Sequence, residues 1–255
     1  MTAPKPLAFP SEEPPEEHVS ETKRHLEART ALYLLLKDAL PGAAIGSDQF
    51  VYSDASDPRK CLSPDAFVKL GAALPSFDSW KVWERGAPDL AVEIVSASDR
   101  SDADWAVKLD RYQASGIGEV VRFDPEDGAQ PLRVWDRVDG DLIERAPESQ
   151  DRYECEALRL WWTIVPSAYG PMLRLARDRE GKDLLPTPSE DSLRLAEELT
   201  EERKARTVAE HERMLEQHAR ERAEDERQRA EDKLLAAERE IVELRAELAR
   251  ARGLG

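Results

Sequence analysis

Asp65 and Glu93 are the residues whose types and settings point first to chemistry. Pro64-Asp65 opens the strand-like run Asp65–Leu70, and Pro88–Ser96 reads Pro-Asp-Leu-Ala-Val-Glu-Ile-Val-Ser. Polar and apolar positions alternate in the second run, as they do along a strand. Asp89, Ala91, Glu93 and Val95 then share one face, and Leu90, Val92 and Ile94 the other. Glu93 falls mid-strand, where a charge is costly to bury unless it is paired or binds a metal. Two carboxylates at the ends of adjacent strands can hold a hard cation such as Mg²⁺. The chemistry expected of such a pair is metal-dependent cleavage of a phosphodiester.

Each of these residues also has a plainer reading. Asp65 could simply start a strand after a turn at Pro64, and Glu93 could pair with a Lys or Arg. Asp89 shares a face with Glu93 but lies four residues away, about 13 Å at strand rise, too far to share one ion. It reads as a strand-end residue. Lys108 has Asp104 one helical turn away as an alternative partner. His25 could approach the site from the first helix, although a surface or half-buried role is the ordinary reading. His18 is a lone N-terminal histidine, and His211 and His218 lie on a charged tail. Trp80, Trp83, Trp161 and Trp162 could stack on bases, but such residues more often pack a core or a loop. Ser96 and Ser98 lack a paired base and elbow glycines, which argues against a serine hydrolase. No glycine-rich phosphate loop is present.

The elements that must position these side chains can be read along the chain. Residues 1–16, rich in Pro and Glu, are expected to form a mobile arm. Residues 17–40 read as a helix capped by Ser20, with Leu26, Tyr33, Leu36 and Leu40 on its apolar face. Strands are predicted at 49–52, 65–70 and 89–95. A loop carries Pro75, Phe77, Trp80 and Trp83. A helix is predicted over 102–115, with Trp105, Leu109 and Tyr112 on one side, ended by Gly116-Ile-Gly118. Glu119–Phe123 reads as a strand, and 131–136 with 141–145 as a hairpin around Asp139-Gly140. A helix crossing over between two strands implies a mixed α/β core. Leu158–Ile164 is apolar and is expected to pack the edge of that core, while 170–188 reads as irregular.

From Glu190 the composition changes to Glu, Arg and Ala, with Pro absent and Gly returning only at Gly253. This predicts one long helix over 190–252. Leu234, Ala237, Ile241, Leu244, Leu248 and Ala251 form a heptad seam, which suggests a homodimer through a coiled coil. Upstream, roughly 201–232, the helix reads as solvated and held by charge pairs. The whole chain has 255 residues and a formal charge of -16, of which -11 lies in residues 1–189. Such a balance argues against tight nonspecific DNA binding. No apolar run approaches membrane-spanning length, and the N-terminus lacks the apolar core of a signal peptide. Cys61 and Cys155 have neither a disulfide framework nor zinc spacing. A cytoplasmic protein with free thiols is expected.

The run Ser79–Arg100, reading SWKVWERGAPDLAVEIVSASDR, resembles the Uma-type family of restriction endonucleases. The similarity continues through Lys108-Leu109, Tyr112, Gly116 and Glu119 to Asp124-Pro125, and upstream through Asp57-Pro-Arg59 and Pro64-Asp65. It covers roughly residues 17–185. The resemblance implies the restriction-endonuclease-like PD-(D/E)XK fold: a mixed sheet flanked by helices, here followed by a long C-terminal helix or coiled coil. It implies that Asp65 and Glu93 are the two acidic motif residues and that they hold Mg²⁺ or Mn²⁺ with the Ile94 carbonyl. The lysine of the general superfamily pattern would fall at Val95, and Lys108 on the following helix is the implied substitute. Glu27 on the first helix is a further candidate for the metal shell. The implied activity is endonuclease hydrolysis of nucleic acid, DNA before RNA. The alternative, favoured by the acidic core and by Val95, is a non-catalytic assembly protein on a nuclease-like scaffold.

Overall fold

The computed structural model describes residues 7–10, 21–72, 76–96, 101–147, 152–251 and 253. Ser20, most of the 1–16 arm, His18, Pro75, Ser98 and Arg252 therefore lie outside the described residues. The chain divides into two units, Met1–Asp191 and Ser192–Gly255.

The first unit begins with helix α1, Lys23–Ala39, capped by the Thr22 hydroxyl, which accepts from the His25 amide. Ala28, Leu32, Leu35 and Leu36 are its buried residues. Their spacing of four, three and one makes the inward stripe. The expected face was rotated from this, and Leu26 is exposed. Short strands β1 (Ala44–Gly46), β2 (Val51–Tyr52) and β3 (Cys61–Leu62) follow, then β4 (Ala66–Lys69). The expected loop around Trp80 instead contains strand β5 (Trp80–Lys81) and a single helical turn, α2 (Val82–Arg85). Trp80 is fully buried against Phe67 and Phe77, and its indole N–H donates to the Gly86 carbonyl. That burial supplies the packing reading of Trp80.

Next come β6 (Leu90–Ile94), α3 (Asp102–Ala114), β7 (Glu119–Phe123), β8 (Leu132–Val138) and β9 (Asp141–Glu144). Six strands form one sheet in the order β1-β4-β6-β7-β8-β9. Within this sheet, among the described residues, only β6 and β7 pair parallel, because α3 carries the chain back between them. Every residue of β6 and of β7 is buried, as expected for central strands covered on both faces. Leu90, Val92 and Ile94 join Leu32, Leu35 and Leu36 of α1 in one core. Ala91 and Val120 join Trp105 and Tyr112 of α3 and Trp135 in the other.

Strands β10 (Tyr153–Cys155), β11 (Leu160–Ser167) and β12 (Gly170–Ala176) form a separate antiparallel sheet. Its Trp162, Leu173 and Leu175 pack into the α1 core. Residues 170–176 are thus regular, contrary to the irregular reading. Pro171 stands opposite Pro166 next to the hairpin turn, where a missing ladder donor costs little. The architecture is a mixed α/β fold with sheets flanked by helices.

Helix α4, Pro188–Ala251, makes up nearly all of the second unit. It has no buried residue. Exposed ion pairs run along it, such as Arg206–Glu210 and Arg220–Glu216. Among the described residues no helix is long and apolar enough to cross a membrane.

Candidate active site

The site gathers where β4 begins and β6 ends. Ala66 pairs with Val92 in the antiparallel register, so Asp65 stands opposite Glu93 one step further along. Both carboxylates are buried, with 7% and 4% of their surface exposed. Asp65 Oδ2 accepts a 2.7 Å hydrogen bond from the Ile94 amide. The end of one strand therefore fixes the acid at the start of its neighbour.

Helix α3 approaches from one side. Trp105, Lys108 and Tyr112 lie three and four residues apart and share a helical face. Lys108 Nζ is 2.9 Å from Glu93 Oε2. The Tyr112 hydroxyl donates to Glu93 Oε1. The start of α3 is set by Ser101, whose hydroxyl accepts from the Asp104 amide. A small cleft opens here, lined by Glu93, Ile94, Val95, Asp104, Trp105 and Lys108. Trp105 is 6% exposed, and its buried indole N–H has no hydrogen-bond partner among the described residues.

Helix α1 approaches from the other side through His25. Its Nε2 is 2.8 Å from the Ile94 carbonyl oxygen and 3.3 Å from Asp65 Oδ2. Its Nδ1 is 2.7 Å from Glu21 Oε1. Both ring nitrogens face acceptors, an arrangement satisfied only when both carry a proton. Arg29 in turn holds Glu21 with bonds of 2.9 and 2.8 Å.

These contacts move the titration of the groups. Burial pushes the Glu93 carboxyl up to about 7, Lys108 and Tyr112 oppose that shift, and the neighbouring Asp65 charge adds to it. Burial, and then Glu93, hold the Tyr112 phenol well above its ordinary range. The hydrogen bond to Asp65 raises His25 to about 9 against the cost of burial, with Glu21 and the Ile94 carbonyl assisting. The Arg29 guanidinium lowers Glu21.

Of the residues expected from sequence, Asp65 accepts from the Ile94 amide, Lys108 bonds Glu93, and Asp65 and Glu93 stand opposite each other in the register. Asp89 does not join them; it pairs with Lys69 at 3.0 Å and accepts from the Leu70 amide, as a strand-end residue would. Glu21, just before α1, is linked to the site through His25. His25 is half-buried, within the surface or half-buried role expected of it, and Tyr112 was expected only as part of an apolar face. Spacing gave some signal for each. His25 lies three residues before the buried Ala28, and Tyr112 lies four after Lys108.

Among the described residues, no three His, Cys, Asp or Glu side chains converge closely enough to hold an ion by themselves. The donor chemistry nevertheless fits a hard cation. Two buried carboxylates raise each other's energy, and a main-chain carbonyl lies beside them. The His25 ring and the Lys108 amine already stand against these oxygens.

The sequence profile of the family described as "Putative restriction endonuclease" (Uma2) matches residues 12–167. The chain belongs to this family. The span matched in this Uma2 chain contains His25, Asp65, Glu93, Lys108 and Tyr112. A solved structure from Anabaena variabilis, described as a "putative nuclease belonging to DUF820", is similar at 13% identity with a TM-score of 0.41. The match covers 55% of this chain and 75% of that one. No curated protein matches the sequence.

Proposed function

We propose that this Uma2-family chain is a metal-dependent endonuclease that hydrolyses phosphodiester bonds, with DNA as its substrate. The observation that carries the reading is a cleft lined by Glu93, Ile94 and Lys108, with Asp65 opposite Glu93 in the strand register and bonded to the Ile94 amide. The oxygens of Asp65, Glu93 and Ile94 would hold Mg²⁺ or Mn²⁺. Such an ion polarises a phosphate and lowers the pKa of a bound water. Lys108 keeps a positive charge beside Glu93, where it meets charge developing on the phosphate. Tyr112 fixes the rotamer of Glu93 from beneath. His25 places an N–H against two of the three proposed ligands, so it orders them before a cation arrives.

One observation favours a second reading, a non-catalytic assembly protein on the same scaffold. Both oxygens of Glu93 are already engaged, by Tyr112 and Lys108. The acidic balance of residues 1–189 agrees with it.

Titration calorimetry with Mg²⁺ and Mn²⁺ separates the two, on the parent chain and on Asp65→Ala/Glu93→Ala. A DNA cleavage assay with each ion is run beside it. The nuclease reading expects ion binding and cutting that the double variant loses. Parent protein that neither binds an ion in the presence of DNA nor cuts it would leave the assembly reading.

A further inference from the structure

The last part of α4 carries six large apolar side chains in solvent, and four of them fall on one seam: Leu234, Ile241, Leu244 and Leu248 are each between 49% and 62% exposed. With Ala237 and Ala251 they repeat at alternating steps of three and four. Leu234, Ile241 and Leu248 take the a positions of a heptad, and Ala237, Leu244 and Ala251 the d positions. The seam has an upstream limit, because the preceding a positions, Arg220 and Arg227, are charged.

The flanking charges distinguish among the occupants such a seam could have. Upstream, exposed charges pair along the helix itself, as in Arg220–Glu216 and Arg227–Glu231. Beside the seam, Lys233 and Glu240 fall at g, and Glu238 and Arg245 at e. Among the described residues these four make no ion pair within the helix. In a parallel pair of identical helices each g residue meets the e residue five positions later on the partner. Lys233 then meets Glu238, and Glu240 meets Arg245, so every such contact joins opposite charges. In the antiparallel arrangement that aligns the same seam, g meets g and e meets e. Glu240 would then face Glu247 twice, and the advantage of the Glu238–Arg245 contacts would be offset.

We propose that residues 234–251 form a parallel, in-register coiled coil with a second copy of this chain. The seam is under three heptads long and has alanine at two d positions, so the dimer is concentration-dependent. Each chain enters α4 at Pro188, so a parallel pair connects both N-terminal units to the same end of the paired helices. This inference does not depend on the nuclease reading.

The test uses the full chain. Sedimentation equilibrium of the parent is expected to show a monomer–dimer equilibrium. Glu240→Lys should weaken it roughly tenfold, by setting Lys against Arg245 twice, and adding Arg245→Glu should restore it. Ala237→Cys, with the parent as control for Cys61, reports direction. Parallel pairing puts the two new thiols side by side at d, and oxidation yields a covalent dimer. Antiparallel pairing separates them by about 16 Å along the axis, beyond disulfide reach. A parent that stays monomeric at hundreds of micromolar overturns the proposal. So does a dimer that Ala237→Cys fails to cross-link, or one that ignores the charge swap.

Discussion

Lys108 Nζ lies 2.9 Å from Glu93 Oε2, reaching from helix α3 to strand β6. Val95, two residues after Glu93 and just past the end of β6, is buried and apolar, and its amide donates to the Phe123 carbonyl. The cation beside the acid thus comes from the following helix. Lys108 is 30% exposed at its side chain while Glu93 is 6% exposed, so the ammonium sits at the cleft mouth and the carboxylate inside it. Lys108→Met is expected to leave the fold intact and to lower cleavage by about 10²-fold, the scale of losing one group that stabilises developing charge. Lys108→Arg should recover only part, because its planar fork does not replace a point charge. Circular dichroism and single-turnover cleavage would check this; cutting at the parent rate by Lys108→Met removes the lysine from the mechanism.

Trp105 supplies a second expectation. Its indole N–H is buried beside the cleft with no partner among the described residues, a state that costs stability unless a bound group uses the donor. Trp105→Phe keeps most of the ring packing against Trp135, whose centroid is 5.1 Å away. Stability should change by less than about 1 kcal/mol. Substrate affinity should fall several-fold, with the rate at saturation largely kept. Unchanged binding would mean that the N–H faces no substrate atom.

The His25 contacts make a prediction about pH. Its pKa is raised in the folded chain to about 9 from the ordinary 6.5. The stabilisation it contributes is therefore complete below pH 6.5 and lost as pH rises through 9. His25→Ala should cost about 2 kcal/mol near pH 6. The gap between parent and variant should close above pH 9. Urea melts at several pH values read this directly. A gap independent of pH would assign the loss to packing alone.

How much of this was legible in the sequence varies with how local the signal is. Strand β7 falls at Glu119–Phe123 as expected, because the β-formers Val120, Val121 and Phe123 are bounded by Gly118 and by Asp124-Pro125. Asp65, Glu93 and Lys108 could be singled out because strand alternation marks Glu93 and the family pattern marks all three. His25 was undervalued because its partners, Ile94 and Asp65, are 69 and 40 positions away, and no local pattern records such a contact. Tyr112 read as core, and it is core; only the fold brings its hydroxyl to Glu93. Strand β12 was hidden by Gly170-Pro171, which signals a break, although here it opens a strand. The Thr22 cap displaced Ser20 because helical pairing begins later than the first polar residue suggested.

Glu93 itself offers the sharpest separation of function from structure. Burial raises its pKa in the folded chain from the ordinary 4.5 toward neutrality. For a raised carboxyl, the favourable contribution is complete below pH 4.5 and is lost as pH rises through the folded value. At pH 8 the ionised group is therefore a liability to the fold. Glu93→Gln keeps the shape and an acceptor for Tyr112 while removing the buried charge. Lys108, partly exposed, can be solvated once its partner is neutral. The variant should be more stable than the parent at pH 8, by about 1–2 kcal/mol, and the advantage should vanish near pH 4. Metal-dependent cleavage should be abolished in the same protein. A carboxylate kept for a structural ion pair behaves oppositely, and its replacement would destabilise the chain at pH 8. Thermal melts at the two pH values, set beside cleavage by the same preparations, give the sign. Destabilisation with cleavage intact would make Glu93 a structural acid and end its assignment as a metal ligand.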